Sequence, residues 1–129
     1  MIVIRTLDGR EVDANEKAIV LITGQYPHDI GPRTYVHGVT AAALPTAERA
    51  EALVARLAVE PPLARLTRPD LTPVWVKGEA VTSARLPLPI ERQGPGAVNA
   101  VIEIGSHHQS LHEDLQTARG VINAHGGNI

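Results

Sequence analysis

One order of structural signals runs twice along the chain, and it constrains the fold more than any single motif. At a shift of 62, Leu63–Arg85 falls on Met1–Thr23, with Asp70 on Asp8, Val74 on Val12 and Ala80 on Ala18. Leu66 falls on Ile4 and Val81 on Ile19. Three identities in 23 positions are what an Ala- and Val-rich chain reaches by composition, so the order of signals carries the argument. Each half opens on an apolar stretch and then a turn built on aspartate, Leu7-Asp8-Gly9-Arg10 and Pro69-Asp70-Leu71-Thr72. An Asp carboxylate accepts the backbone N–H two residues on, which favours such turns. Gly9 supplies the positive φ that hairpin turns require. Leu71 stands at the equivalent position, so the second turn avoids that geometry or strains it.

Short β segments follow at Glu11–Ala14 and Pro73–Lys77, then at Ala18–Thr23 and Ala80–Leu86. The continuous apolar run AIVLIT predicts a strand buried on both faces. Pro/Gly punctuation marks Gln25–Arg33 and Pro87–Gly96 as loops. A strand pair comes next in each half, Thr34–His37 with Thr40–Leu44 around Gly38, and Ala97–Ile104 with His107–Leu111 around Gly105. Each half closes on a helix. Ala50, Leu53, Val54 and Leu57 form one apolar stripe behind Thr46 as N-cap. Leu115, Ala118, Val121 and Ile122 form the other, behind a capping box at Ser110 and Glu113. Gly126-Gly127 stops the second helix, and His125 stands by its last carbonyls.

The expected architecture is α+β: two similar β-rich halves, each a set of small antiparallel sheets or a partial barrel ending in an α-helix. They occupy residues 1–58 and 63–125, joined by the linker 59–62, and share one core within a single compact domain, 1–129. A half of that size buries too little surface alone, which is why one core is expected. Exposed edges of small sheets also invite self-pairing, so a homo-oligomer is expected.

Composition removes several function classes. With no Cys, disulfides, thiol nucleophiles and Cys-type zinc sites are impossible. Twelve Lys and Arg against fourteen Asp and Glu give a formal net charge of -2, which argues against a nucleic-acid binder. No apolar run approaches the ~18 residues of a membrane span, and no signal-peptide pattern opens the chain. The expectation is a cytoplasmic protein without a membrane partner. There is no G-x-G-x-x-G, no phosphate-loop frame around Gly94–Gly96 and no G-x-S-x-G elbow.

Two sets of residues remain as candidates. His107, His108 and His112 form the densest cluster of metal-ligating side chains. On a helix, His108 and His112 would share one face, as a zinc or nickel pair needs. On an extended segment they are solvated side chains. Arg5, Arg68 and Trp75 are the candidate interaction residues. The arginines would hold an acidic partner, or lay their stems over sheet edges. Trp75 lies out of phase with Val74 and Val76. Exposed, it would anchor an interface; buried, it fills a core poor in large side chains.

Leu66, Thr67, Arg68, Asp70, Val74, Val76, Gly105 and Glu113 together make an apolar–Thr–Arg–x–Asp turn, a β segment, and a strand–Gly–strand–acidic–helix ending. In this the second half resembles the small FlbD/SwrD-type proteins associated with bacterial flagella, and short phage-associated proteins of similar layout. Leu71 stands where that family has a turn Gly, Lys77 where it has Asn, and the loop Pro87–Gly96 is longer than its hairpin. The first half matches through Ile4, Asp8, Gly9, Val12, Asn15 and Ile19. The opening MIVIRTLDGREV also resembles that of the carbon-storage-regulator RNA-binding proteins, but their basic RNA-facing patch is missing. The FlbD/SwrD resemblance implies a small bacterial cytoplasmic accessory protein, without catalytic activity or cofactor, that works through a protein partner or self-association. The alternative is a metal-binding module or metal-dependent enzyme built on His107, His108 and His112 with a divalent metal.

Overall fold

The computed structural model describes every residue except 27–28, 32 and 93–95, so parts of both predicted loops lie outside the described residues. The fold is α+β, with ten strands and two α-helices among the described residues. The chain divides into two compact units, Met1–Glu60 and Pro61–Ile129.

In the first unit, β1 (Ile2–Arg5) and β2 (Glu11–Ala14) form an antiparallel hairpin with Ile4 opposite Val12. A 3₁₀ turn at Glu16–Ala18 leads into β3 (Leu21–Thr23), which forms a meander with β4 (Thr34–His37) and β5 (Leu44–Thr46). A bridge between Thr6 and Thr46 joins the hairpin to β5. Helix α1 (Ala50–Arg56) closes the unit. Ile4, Ile22, Val36 and Leu53 are fully buried at its core. Burial of each such side chain contributes about 1.5–3 kcal/mol.

In the second unit, β6 (Ala64–Thr67) and β7 (Pro73–Val76) form a hairpin with Leu66 opposite Val74. A 3₁₀ turn at Gly78–Ala80 leads to β8 (Ser83–Arg85), which pairs with β9 (Ala100–Ile104) and through it with β10 (His107–Leu111). The end of β10 meets the hairpin where His112 N–H donates to Thr67 O at 2.8 Å. Helix α2 (Leu115–Asn123) packs on β6, β8 and β9 through Ala118 and Ile122.

From β1 to β3 the elements of the first unit stand 62 positions before β6 to β8, with the 3₁₀ turns in the same register. Backbone hydrogen bonds follow the same shift. Thr6 donates to Arg10 and Arg68 to Thr72; Gly9 donates to Thr6 and Leu71 to Arg68. Ala18 donates to Asn15 and Ala80 to Lys77. The two aspartate turns use the same side-chain types in swapped places. Thr6 donates to Asp8 while Arg10 pairs with it at 3.1 Å; Thr72 donates to Asp70 while Arg68 Nε stands 3.6 Å away. Burial opposes ionisation of Asp70, but the Thr72 hydrogen bonds and then the Arg68 charge hold its carboxyl below the usual value. Leu71 takes φ +69, so the second turn keeps the geometry of Gly9 (φ +87) and accepts the strain. That strain costs about 1–2 kcal/mol in an L-residue.

Several expectations are corrected. Thr46 is not the N-cap of α1; it pairs with Thr34 inside β5, and the helix starts after Arg49 without a side-chain cap. Ser110 is not the N-cap of α2; it pairs with Val101 in β10, and Asp114 caps the helix by accepting from Thr117 N–H at 2.7 Å. Thr46 and Ser110 are held extended by pairing with Thr34 and Val101, so each helix begins several residues beyond them. The segment Ala18–Thr23 begins in a 3₁₀ turn, and only Leu21–Thr23 is strand, buried at all three positions as the apolar run predicts. The fifth strand starts at Leu44, where the expected segment ended. At the end of α2, Gly126 takes φ +96, Gly127 N–H donates to Ile122 O, and His125 Nδ1 lies 2.7 Å from Val121 O, as the Gly-Gly stop predicts.

Candidate functional site

The three-stranded sheet of the second unit carries a polar network centred on Arg85. Side chains alternate across a strand, so the register sets Ser83, Glu103 and His108 in one row over β8, β9 and β10. Arg85, two residues on from Ser83, shares that face. Its Nε donates to Glu103 Oε1 at 2.9 Å. Its two terminal nitrogens donate to both oxygens of Glu91, at 2.6 and 2.9 Å. Glu91 also accepts from Leu88 N–H at 2.7 Å and returns its own N–H to Leu88 O. Bidentate pairing of this kind is the strong, directional form of an Arg–carboxylate contact. The Arg85 hydrogen bonds first, and then the Leu88 N–H, hold the Glu91 carboxyl down to about 2. The two carboxylates raise Arg85 further.

Between Arg85 and Glu91 lies Leu-Pro-Leu-Pro-Ile, its ends clamped by that pair. Pro87 is buried. Leu86, Leu88 and Ile90 point outward and are 61%, 54% and 71% exposed. Single exposed apolar residues are ordinary, but here three fall within five residues, the last of them in a 3₁₀ turn at Pro89–Arg92. Sequence reasoning took this stretch only as a loop. Its signal was the Leu/Pro alternation bracketed by Arg and Glu six apart.

The residues singled out from the sequence fall on different elements. Arg5 is exposed, bonds Glu11 across the first hairpin at 3.1 Å, and lines an open cleft of about 470 Å3 with Thr46 and Glu48. Arg68 is 3% exposed; its Nε donates to Thr72 at 2.7 Å, so it pins its own turn and does not face solvent. Trp75 is buried in β7, 6% exposed, with the Arg65 guanidinium 5.9 Å from its ring centroid. It therefore fills a core, and an anchor role that needs exposure is not open to it.

His107 and His108 lie in β10, so the helical spacing that would align His108 with His112 does not arise. Their rings stack at 6.3 Å, while His112 follows the strand and is exposed. Burial first, and then the neighbouring His108, hold His107 below its usual value, which favours the neutral ring. Among the described residues, no group of three or more His, Asp or Glu side chains is placed to hold a metal ion. No helix among them is long and apolar enough to cross a membrane.

No protein-family model, curated protein or solved structure matches this chain. The site itself therefore carries the functional reading. Its ion pair has a definite acid signature. The folded-state value of Glu91 lies below its ordinary 4.5, so the clamp contributes its full stability above that pH and loses it as pH falls through about 2. Glu91→Gln is expected to lower the melting temperature at pH 7, and the two melting curves should converge as pH falls towards 2. A gap that stays constant over that range would show that Glu91 ionisation does not hold the loop.

Proposed function

We propose that this chain is a non-catalytic interaction protein that docks through the clamped strip Leu86–Ile90. The observation that carries this is the exposure of Leu86, Leu88 and Ile90 on a loop whose two ends are tied by Arg85 and Glu91. Holding a binding loop in place before contact removes part of the ordering cost of association. Apolar anchors on a pinned loop beside paired charges are the usual anatomy of a protein interface. The two units descend from one duplicated unit, a reading supported by the common element order and the 62-residue shift of their turns. That layout fits a small bacterial accessory protein of the FlbD/SwrD kind, in a flagellar or phage setting. The second unit differs from the first in bearing apolar residues where the first has Gly9 and Gly24, namely Leu71 and Leu86.

Site-specific photo-cross-linking tests the reading. A benzophenone side chain at position 88 is expected to give several times more protein adduct in cells than one at Arg119, which is exposed on α2. Equal yields from the two positions, or none from position 88, would overturn it.

A further inference from the structure

We infer that the open cleft of the first unit is a docking site for a short peptide of a partner protein that carries a glycine and, three residues on, an asparagine. The pattern for this occupant is a segment of the chain itself, seated on the corresponding surface of the second unit. The site is separate from the strip Leu86–Ile90 and does not depend on the docking reading above.

Both units join their hairpin to their last strand at the same point. The Thr6–Thr46 bridge does so in the first, and the bond from His112 N–H to Thr67 O in the second. Thr46 and Leu111 end those strands, each four residues before the first residue of its helix, Ala50 and Leu115. Ala47 and Glu48 therefore correspond to His112 and Glu113. In the turns, Leu7 and Gly9 correspond to Pro69 and Leu71.

In the second unit this surface is covered. Asn99 N–H donates to Leu111 O at 3.0 Å, and its side-chain Nδ2 donates to His112 O at 2.6 Å. Gly96 lies so close on the turn that a Cβ there would strike the Pro69 backbone oxygen. The segment Gly96–Asn99 thus runs from the turn to the last strand, with a glycine required at one end and a carboxamide bonded at the other. Glu113 seals the hairpin edge beside it by accepting Thr67 N–H at 2.9 Å.

In the first unit the same surface is open. Arg5, Leu7, Gly9, Ala47 and Glu48 line the cleft of about 470 Å3. Ala47 is exposed, and among the described residues nothing donates to its carbonyl oxygen, the counterpart of the acceptor that Asn99 uses. Glu48 is turned to Arg56, at 2.7 and 2.8 Å, and does not seal the hairpin edge as Glu113 does. The described residues just before β4, which stand where Gly96–Asn99 stands before β9, do not line the cleft. Asp29 among them accepts the Tyr35 hydroxyl at 2.9 Å and the Tyr26 backbone N–H at 2.8 Å. The first unit keeps the surface that such a segment fits and has no segment of its own on it.

Titration of the isotope-labelled full chain with the capped tetrapeptide Gly-Ala-Val-Asn, the sequence of residues 96–99, tests this by amide chemical shifts. Saturable shifts are expected at Leu7, Gly9 and Ala47, and none at Leu71 and His112, whose surface is already covered. A peptide with Leu in place of Asn, and one with Val in place of Gly, should each bind about fivefold more weakly or worse. Ala47→Arg should remove the shifts at Leu7 and Gly9 at an unchanged melting temperature. If it lowers that temperature, the two altered peptides decide the matter without a variant protein. No saturable shift at the cleft up to about 10 mM peptide overturns the inference. So do equal affinities for the three peptides, and so do shifts of equal size in the two units.

Discussion

Trp75→Ala is expected to destabilise the protein by about 3–5 kcal/mol, the usual cost of emptying a buried aromatic position. At roughly 4 °C per kcal/mol for a chain of this size, the melting temperature falls by about 12–20 °C. The reason is the shape of the core. Its other large buried side chains are Ile, Leu and Val, and no Phe is available to move into the space. Val74, Trp75 and Val76 are all buried, so β7 is covered on both faces and cannot close over the cavity by turning. Trp75→Phe should recover more than half of the loss, since it restores most of the volume. Chemical denaturation checks both, provided the slope with denaturant is unchanged. A loss under about 1 kcal/mol would mean that Trp75 is not a packed core residue.

Gly38→Ala should be nearly as damaging, and Gly105→Ala should not. Both glycines join the last two strands of their meanders, and both take positive φ, +109 and +61. A Cβ at Gly38 would lie 2.1 Å from the backbone oxygen of Ala18, a group that cannot step aside without breaking the Val20–His37 hydrogen bond. At Gly105 nothing lies within 4 Å. Gly105→Ala therefore carries only the strain of a left-handed alanine, about 1–2 kcal/mol, whereas Gly38→Ala adds a backbone displacement and costs about 3 kcal/mol or more. Equal losses at the two positions would show that φ alone decides the cost.

Local chemistry was legible in the sequence, and competition between elements was not. The aspartate turns at Asp8 and Asp70 are set by side chains acting over two residues, so they can be read without the fold. The apolar stripes of both helices are equally local. Thr46 and Ser110 look like helix caps in isolation, yet each lies in a strand that pairs back on the strand just before it, Thr46 with Thr34 of β4 and Ser110 with Val101 of β9. The same holds for the histidines: His108 and His112 are four apart, but β10 claims the first and releases the second. The strip Leu86–Ile90 was visible only as a loop, because a Leu/Pro run has the same composition whether buried or exposed. What turns it outward is Arg85 reaching Glu91 and Glu103, two contacts of which one crosses strands.

Amide hydrogen exchange on the full chain tests the two-unit plan most directly. Protected amides in the first unit should recur 62 positions later, pairing Thr6 with Arg68, Gly9 with Leu71, Ala18 with Ala80 and Ile19 with Val81, because each pair donates to equivalent backbone oxygens. The plan predicts protection at both members of every pair. Protection confined to one unit, or a second set displaced from that spacing, would contradict it.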